Sequence, residues 1–245
     1  MDKSNELAIK SHNSKYLLYR YVLSLAIVYE NIFFYIPTFF DFRGRVYSIV
    51  DYLTYQGEDM ARSLITFYDG CEITEKNIIY VLQHLANTAG KSKLKIKSKN
   101  KWAIDFINQL NLLPFQLECK NLSSFFEYRK NNVDLFKDLK VVSIFDLVRN
   151  ENVINVMSHS DERLQFLNIL FSLIKCLIKP NELFCTPICF DATTSGFQHL
   201  AALFQDLDLA KASNVVNNIE ESNIDEGGDY YYYVEKKKSR TWRCL

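Results

Sequence analysis

The chain has 245 residues and a mass of 28.7 kDa, enough to bury a substantial core as one large domain or two small ones. With 48% hydrophobic and 24% charged residues, disorder over most of the length is excluded. Lysine plus arginine and aspartate plus glutamate each number 29, so a surface that grips nucleic acid over its whole extent is excluded, and any such binding must be local.

The most apolar stretch, Lys15 to Tyr35, has a clean core only from Tyr21 to Tyr29, bounded by Arg20 and by Glu30 with Asn31. That is well short of the roughly 20 residues a membrane-spanning helix needs. The pattern predicts a buried amphipathic helix ending before Pro37, and no membrane association. Next comes YIPTFFDFRGRVYSIVDYLTYQGEDMARSLITFYDG, from Tyr35 to Gly70. Arg45 to Val50 alternates as a strand does, Gln56-Gly57 supplies a turn, and a helix is predicted over roughly Asp59 to Tyr68, closed by Gly70. Arg43 and Arg45 flank Gly44; two such guanidinium groups can fork onto phosphate oxygens while the glycine lets the backbone come close. Tyr47 can stack on a base or sugar. For Asp41 an ion pair with Arg43 or Arg45 that stiffens the turn is favoured over a metal role.

Thr74 is the predicted N-cap of a helix through Ile78, Ile79, Leu82 and Leu85 that ends near Gly90. Beyond it, Lys91, Lys93, Lys95, Lys97, Lys99 and Lys101 alternate with other residues. In an extended conformation all six would share one side and could meet a phosphate backbone, although a solvated surface loop is the favoured reading. From Trp102 to Asn181 the pattern is helical, over Ala103 to Leu110, Leu122 to Asn131, Val133 to Val148 and Leu164 to Leu177, with His159-Ser160-Asp161 read as loop. The six cysteines (Cys71, Cys119, Cys176, Cys185, Cys189 and Cys244) contain no CxxC pair and read as reduced thiols rather than a zinc site.

Phe184 to Leu203, FCTPICFDATTSGFQHLAAL, is organised around one carboxylate. A short apolar run fits a buried strand with Asp191 at its carboxyl end; small residues from Ala192 to Gly196 form a turn, and Phe197 to Leu203 suits a helix. Asp191 can cap that helix or hold a magnesium ion against a phosphate.

Two stretches together carry a family resemblance. Asp41 to Tyr47 (DFRGRVY) with Gln56 to Met60 (QGEDM), and Asp191 to Leu200 (DATTSGFQHL), resemble signature motifs of single-subunit, bacteriophage-type DNA-directed RNA polymerases, in particular the mitochondrial and mitochondrial-plasmid enzymes. His84 to Gly90 (HLANTAG) is similar to family members too. The resemblance runs from about Leu17 to Val234 and corresponds to the middle of a complete enzyme.

It implies an α+β, mainly helical fold: a helical lead-in over 1–36, a first palm segment over 37–70, a helical insertion over 71–182, a second palm segment over 183–206 and the start of the fingers over 207–245. It further implies a two-metal nucleotidyl transfer with Mg²⁺ as cofactor, in which Asp191 and the Ala192 carbonyl bind metal. Arg43, Arg45, Tyr47, Arg62, Ser195, Gln198 and His199 would face nucleic acid. The implied partners are a DNA template, the RNA transcript and ribonucleoside triphosphates, and the implied location is the mitochondrion. The first ten residues, MDKSNELAIK, lack the look of an Arg-rich transit peptide, which fits a gene expressed inside the organelle. The 245 residues contain neither a later His-Asp-Ser stretch for the second metal carboxylate nor a Lys followed by Tyr-Gly for the incoming nucleotide. The isolated chain is therefore expected to be inactive, with a second polypeptide as one way of completing the site. The rival reading is a noncatalytic remnant that binds nucleic acid through Arg43, Arg45 and the lysine run.

Overall fold

The computed structural model describes residues 3–42, 44–114, 117, 122–139, 142–179, 181–189, 195–213 and 215–216. The fold is α+β and mainly helical, the class read from the sequence. Its centre is α9 (Arg163–Ile178), which buries Phe166, Leu167, Ile169, Leu170, Leu173, Ile174, Leu177 and Ile178. Such near-complete burial requires neighbours on several sides. They are α3 (Ile78–Ala86), α7 (Ile144–Arg149), α8 (Glu151–His159) and α2 (Asp59–Leu64). The amphipathic α4 (Ile96–Gln109) packs on α3 and delivers Phe106 and Ile107 to the same core. Two shorter helices, α5 (Leu122–Asn131) and α6 (Val133–Asp138), close it through Phe125 and Phe136, both fully buried.

Arg129, on α5, is buried, donates to the Cys176 carbonyl at 3.0 Å and lies over the Phe126 ring at 5.1 Å. These contacts satisfy part of a guanidinium that burial otherwise penalises. Cys176 is in the same layer, and burial, reinforced by Glu182, pushes its thiol from 9.0 up to about 12. The folded state thus keeps it protonated, so stability is retained below its ordinary value and lost as pH climbs towards 12. Only a thiolate attacks disulfide reagents. Exposed Cys71 and Cys189 should therefore react with such a reagent at pH 8 while Cys176 stays unmodified until denaturant is added. Rapid labelling of Cys176 in the native chain, read by mass spectrometry, would contradict this packing.

A smaller core joins α1 (Lys3–Val28) to the first motif region. Leu18, Val22, Leu25 and Ala26 form one helical stripe that meets Leu53, Ala61 and Ile65. The expected buried helix therefore needs correction. It begins earlier than Lys15 and ends at Val28, with Asn31 in the left-handed region at φ 60°, and among its described side chains only Val22 is buried. One stripe of α1 meets protein in this chain, so Tyr16, Tyr21, Leu23 and Ile27 remain exposed. No described helix is long and apolar enough to cross a membrane.

Several boundaries also differ from expectation. Helix α2 stops at Leu64 instead of Tyr68, because Ile65 turns extended and the Phe67 N–H is taken by the Cys185 carbonyl at 2.8 Å. Asn77, not Thr74, precedes α3; Asn77 Oδ1 accepts the Thr74 N–H while the Thr74 carbonyl accepts from Asn77 and Ile78. A π-turn, Asn87–Lys91, follows α3 and ends the helix near Gly90 (φ 78°), as expected. The lysines do not form one extended run: Lys91 ends the π-turn, α4 takes in Lys97, Lys99 and Lys101, and residues two apart on a helix do not share a face. Val133 to Val148 is two helices, α6 and α7, the second opened by a Ser143–Asp146 capping box. His159 ends α8, and Ser160 is a buried linker whose hydroxyl donates to the Thr88 carbonyl. The apolar run before Asp191 forms a single antiparallel bridge, Cys71 to Phe184, rather than a strand; Pro187 has no N–H to extend it.

Candidate nucleic-acid and metal site

DFRGRVY builds a hairpin. Strands β1 (Thr38–Phe40) and β2 (Val46–Ser48) pair antiparallel, with Phe39 opposite Tyr47. Asp41 and Arg45 close the pair: the Asp41 N–H donates to the Arg45 carbonyl at 2.9 Å, and the Gly44 N–H donates to the Asp41 carbonyl at 3.0 Å. Gly44 has φ 75°, the left-handed position that a three-residue hairpin loop places before the returning strand. The Asp41 carboxylate accepts the Arg45 N–H at 2.9 Å, so this acid stiffens the turn through the backbone of Arg45. Arg45 is exposed, and Tyr47 is 38% exposed with its ring 5.8 Å from that of Phe39. Arg43 lies outside the described residues.

QGEDM serves the same hairpin. The Gln56 side chain acts as a short extra strand along β2, accepting the Ser48 N–H at 2.7 Å and donating to the Val46 carbonyl at 2.9 Å. Three residues on, Asp59 performs a task that sequence reading missed. Its carboxylate accepts the backbone N–H groups of Leu164 (2.8 Å) and Gln165 (3.1 Å) and the Gln165 side-chain amide (3.0 Å). The residue before α9, Glu162, makes no side-chain cap bond, so Asp59 caps the central helix from 105 residues away and meets its positive dipole end. Local spacing carries no signal of such a cap. Asp59→Ala should lower the unfolding free energy by about 2–3 kcal/mol, because charge-assisted bonds are lost and α9 donors are left unpaired. A loss below about 0.5 kcal/mol in urea denaturation would show that α9 is capped by other means.

Arg62, expected to contact phosphate, is ion-paired: its terminal nitrogen meets Glu162 Oε1 at 2.7 Å. Its Nε is buried without a partner, as is Nε2 of His84. Burial drives the His84 pKa below its usual value, Glu162 and the Pro187 backbone oppose that shift, and Arg62 reinforces it. Beside this cluster lies an open cleft of about 580 Å³ lined by Gln56, Glu58, Asp59, Arg62, Asp161 and Glu162, among others. Its acidic lining is unsuited to a nucleic-acid backbone.

The structure ties the chain after α2 to the segment that precedes Asp191. Cys71 and Phe184 exchange backbone hydrogen bonds at 3.1 and 2.8 Å, and the Phe67 N–H reaches the Cys185 carbonyl. Gly70 is required at this crossing, since a Cβ there would lie 2.6 Å from Cys185 Sγ and 2.7 Å from Leu183 Cβ. The segment is further held by Thr186, whose hydroxyl donates to that of Ser172 at 2.9 Å. Asp191 and Ala192, the expected metal ligands, lie outside the described residues. Ser195 opens α10 (Ser195–Phe204), the helix expected there. The Gln198 side chain donates to the Ser213 carbonyl at 2.9 Å, at the end of α11 (Leu207–Ala212), and His199 is exposed. No group of three His, Cys, Asp or Glu side chains suited to a metal occurs among the described residues. Two of the motif acids, Asp41 and Asp59, accept hydrogen bonds from backbone N–H groups.

Residues 115–240, about half of the chain, match the family model for DNA-dependent RNA polymerase. The chain belongs to that family. Its single-subunit, bacteriophage-like branch is the one the motifs resemble, and curated relatives agree. A probable DNA-directed RNA polymerase of Agaricus bitorquis is 32% identical over 232 residues, 94% of this chain and 18% of the relative. A probable DNA-directed RNA polymerase of Neurospora crassa is 28% identical over 216 residues, 88% of this chain and 20% of the relative. The mitochondrial DNA-directed RNA polymerase of Schizosaccharomyces pombe is 27% identical over 198 residues, 80% of this chain and 14% of the relative. The chain thus spans about a fifth or less of the length of these polymerases.

Proposed function

We propose that this polypeptide is the palm-bearing portion of a DNA-directed RNA polymerase that transfers ribonucleotides to an RNA 3′ end in mitochondrial transcription. The observation that carries the reading is the crossing at Gly70 and Cys71. It pairs Phe67 and Cys71, which follow the first motif stretch, with Cys185 and Phe184, which precede Asp191, and this supports reading the two segments as parts of one palm. Residues 37–70 and 183–206 are the two palm segments in this reading, 1–36 the lead-in, 71–182 the helical insertion and 207–245 the start of the fingers. The relatives named as mitochondrial polymerases support the location.

Asp191 would supply the carboxylate and Ala192 the carbonyl that hold Mg²⁺, and the bound ion would supply positive charge for the attacking 3′-oxygen and the leaving pyrophosphate. Arg43 and Arg45 neutralise phosphates of the template or hybrid, Tyr47 stacks at its edge, and Ser195, Gln198 and His199 lie towards the primer end. Arg62 contributes by fixing Glu162 at the head of α9, in keeping with its observed ion pair. The template, the transcript and ribonucleoside triphosphates are the ligands. The second carboxylate and the nucleotide-binding lysine come from polypeptide other than these 245 residues, so the chain alone is inactive.

Ribonucleotide incorporation on an RNA-primed DNA template tests this, with Mg²⁺ and either the 245 residues alone or the same residues joined to the completing polymerase segments. No extension by the first and template-directed extension by the second is the expected result. If neither extends the primer but the chain binds an RNA–DNA hybrid in a salt-sensitive way that Arg45→Ala weakens, the noncatalytic binding reading replaces it.

A further inference from the structure

The hairpin that carries Arg45 and Tyr47 consists of two strands of three residues each, and a pair of that size is marginal on its own. Its register sets Phe39 opposite Tyr47, while the Asp41 N–H meets the Arg45 carbonyl and the Ile49 N–H meets the Pro37 carbonyl. Arg45, Tyr47 and Ile49 therefore turn their backbone groups towards β1, and those of Val46 and Ser48 face the other edge. Such an edge is otherwise left to solvent. The primary amide of Gln56 partners it: the oxygen accepts the Ser48 N–H at 2.7 Å and the nitrogen donates to the Val46 carbonyl at 2.9 Å, one bond on each side of Tyr47. The other end of the motif is anchored separately. The Gln56 N–H donates to Thr54 Oγ1 at 3.3 Å and the Gly57 N–H to the Thr54 carbonyl at 3.1 Å, and Thr54 is buried. A Cβ at Gly57 would lie 3.1 Å from that carbonyl oxygen and 3.2 Å from Ala61 Cβ, so the corner is closely packed. Asp59 then holds the start of α9. QGEDM is thus a strap with the free edge of β2 at one end and the central helix at the other.

We propose that Gln56 is a positioning residue for nucleic-acid binding: its side-chain amide serves as a third strand that fixes Arg45 and Tyr47, and QGEDM ties that strand to the head of α9. This rests on the reading that Arg45 and Tyr47 face nucleic acid. Gln56 itself touches no nucleotide in this role. A strand already held in one conformation loses less freedom when a ligand docks on it, so the brace raises affinity without adding a contact. Gln56 is exposed, so its two bonds govern the hairpin rather than the stability of the whole chain.

The test uses the whole 245-residue chain with a fluorescein-labelled RNA–DNA hybrid as probe, comparing wild type, Gln56→Met, Tyr47→Ala, Arg45→Ala and the double variant Gln56→Met with Tyr47→Ala. Methionine keeps the length of the side chain and removes both bonds. Gln56→Met should weaken hybrid binding about five- to tenfold and speed hydrogen exchange of the Ser48 amide about fivefold or more, while the urea unfolding midpoint stays where it was. Salt separates position from contact: Arg45→Ala should reduce the slope of log affinity against log salt by about one, whereas Gln56→Met should leave the slope unchanged. Because Gln56 acts through Tyr47 as well as Arg45, the double variant should lose less than the product of the two single losses. Affinity within about twofold of the wild type, a salt slope reduced as in Arg45→Ala, or single losses that multiply in full would each overturn the proposal. If the wild type does not bind the hybrid, the nucleic-acid reading of Arg45 and Tyr47 falls and the positioning role falls with it. A wild type that binds, beside a Gln56→Met variant that binds equally well, removes the positioning role alone, so the wild-type titration tells the two failures apart.

Discussion

Phe166→Ala should cost about 3–5 kcal/mol of stability, the range for truncating a buried aromatic. Phe166 is fully buried on α9, with its ring 5.7 Å from Phe106 in an edge-to-face arrangement, and Phe106 in turn stacks on Trp102 at 5.3 Å. Removing the ring leaves a void where α4 meets α9, and the other large residues there have little freedom to collapse into it. Leu170 and Leu173 are locked on the same helix, and Ile104 and Ile107 are fixed by the packing of α4 on α3. The aromatic contact adds a further loss beyond area alone. Natural domains are stable by only about 5–15 kcal/mol, so the variant should be close to unfolding at room temperature. Urea denaturation followed by circular dichroism measures the change. A shift below about 1 kcal/mol would mean that α9 is not the centre of the core.

Where the sequence is self-contained, its pattern was legible. Leu122 to Asn131 is a helix with the expected bounds, and the run Leu164 to Leu177 falls inside α9, because local apolar spacing and burial agree there. The turn at Asp41 and the strand after it were readable for a similar reason, since Asp41 and Gly44 sit at positions whose backbone demands suit those residue types, whereas β1 was not foreseen. The failures share a different cause. Helix α2 should by its own composition continue past Leu64, yet the Phe67 N–H finds its acceptor on Cys185, far along the chain. Asp59 reads as an acid opening its own helix and turns out to cap another one. Arg62 reads as a phosphate contact, and its ion pair with Glu162 is a partner that spacing does not reveal. A one-residue spacing argument sees only neighbours in sequence, and each of these is decided by a partner a hundred or so positions away.

That distinction sharpens the largest functional effect expected. In a polymerase containing this segment, Asp191→Asn should reduce ribonucleotide incorporation by about 10³-fold or more, since a metal contributes several kcal/mol of charge stabilisation and about 1.4 kcal/mol is a factor of ten. The amide keeps the shape and one oxygen but removes the unit charge that makes a carboxylate a ligand for Mg²⁺. Affinity for an RNA–DNA hybrid should change little, because the proposed reading assigns that term to Arg43 and Arg45. Asp59→Asn is the informative contrast. It keeps one acceptor oxygen for the start of α9 and loses the dipole interaction, so it lowers the folded fraction without altering the rate per folded molecule. Measuring incorporation and unfolding on both variants separates an acid that does chemistry from an acid that holds the frame. If Asp191→Asn retained incorporation within about tenfold of the wild type, Asp191 would be the helix cap that its sequence position also allows, and the metal carboxylates would have to be sought elsewhere.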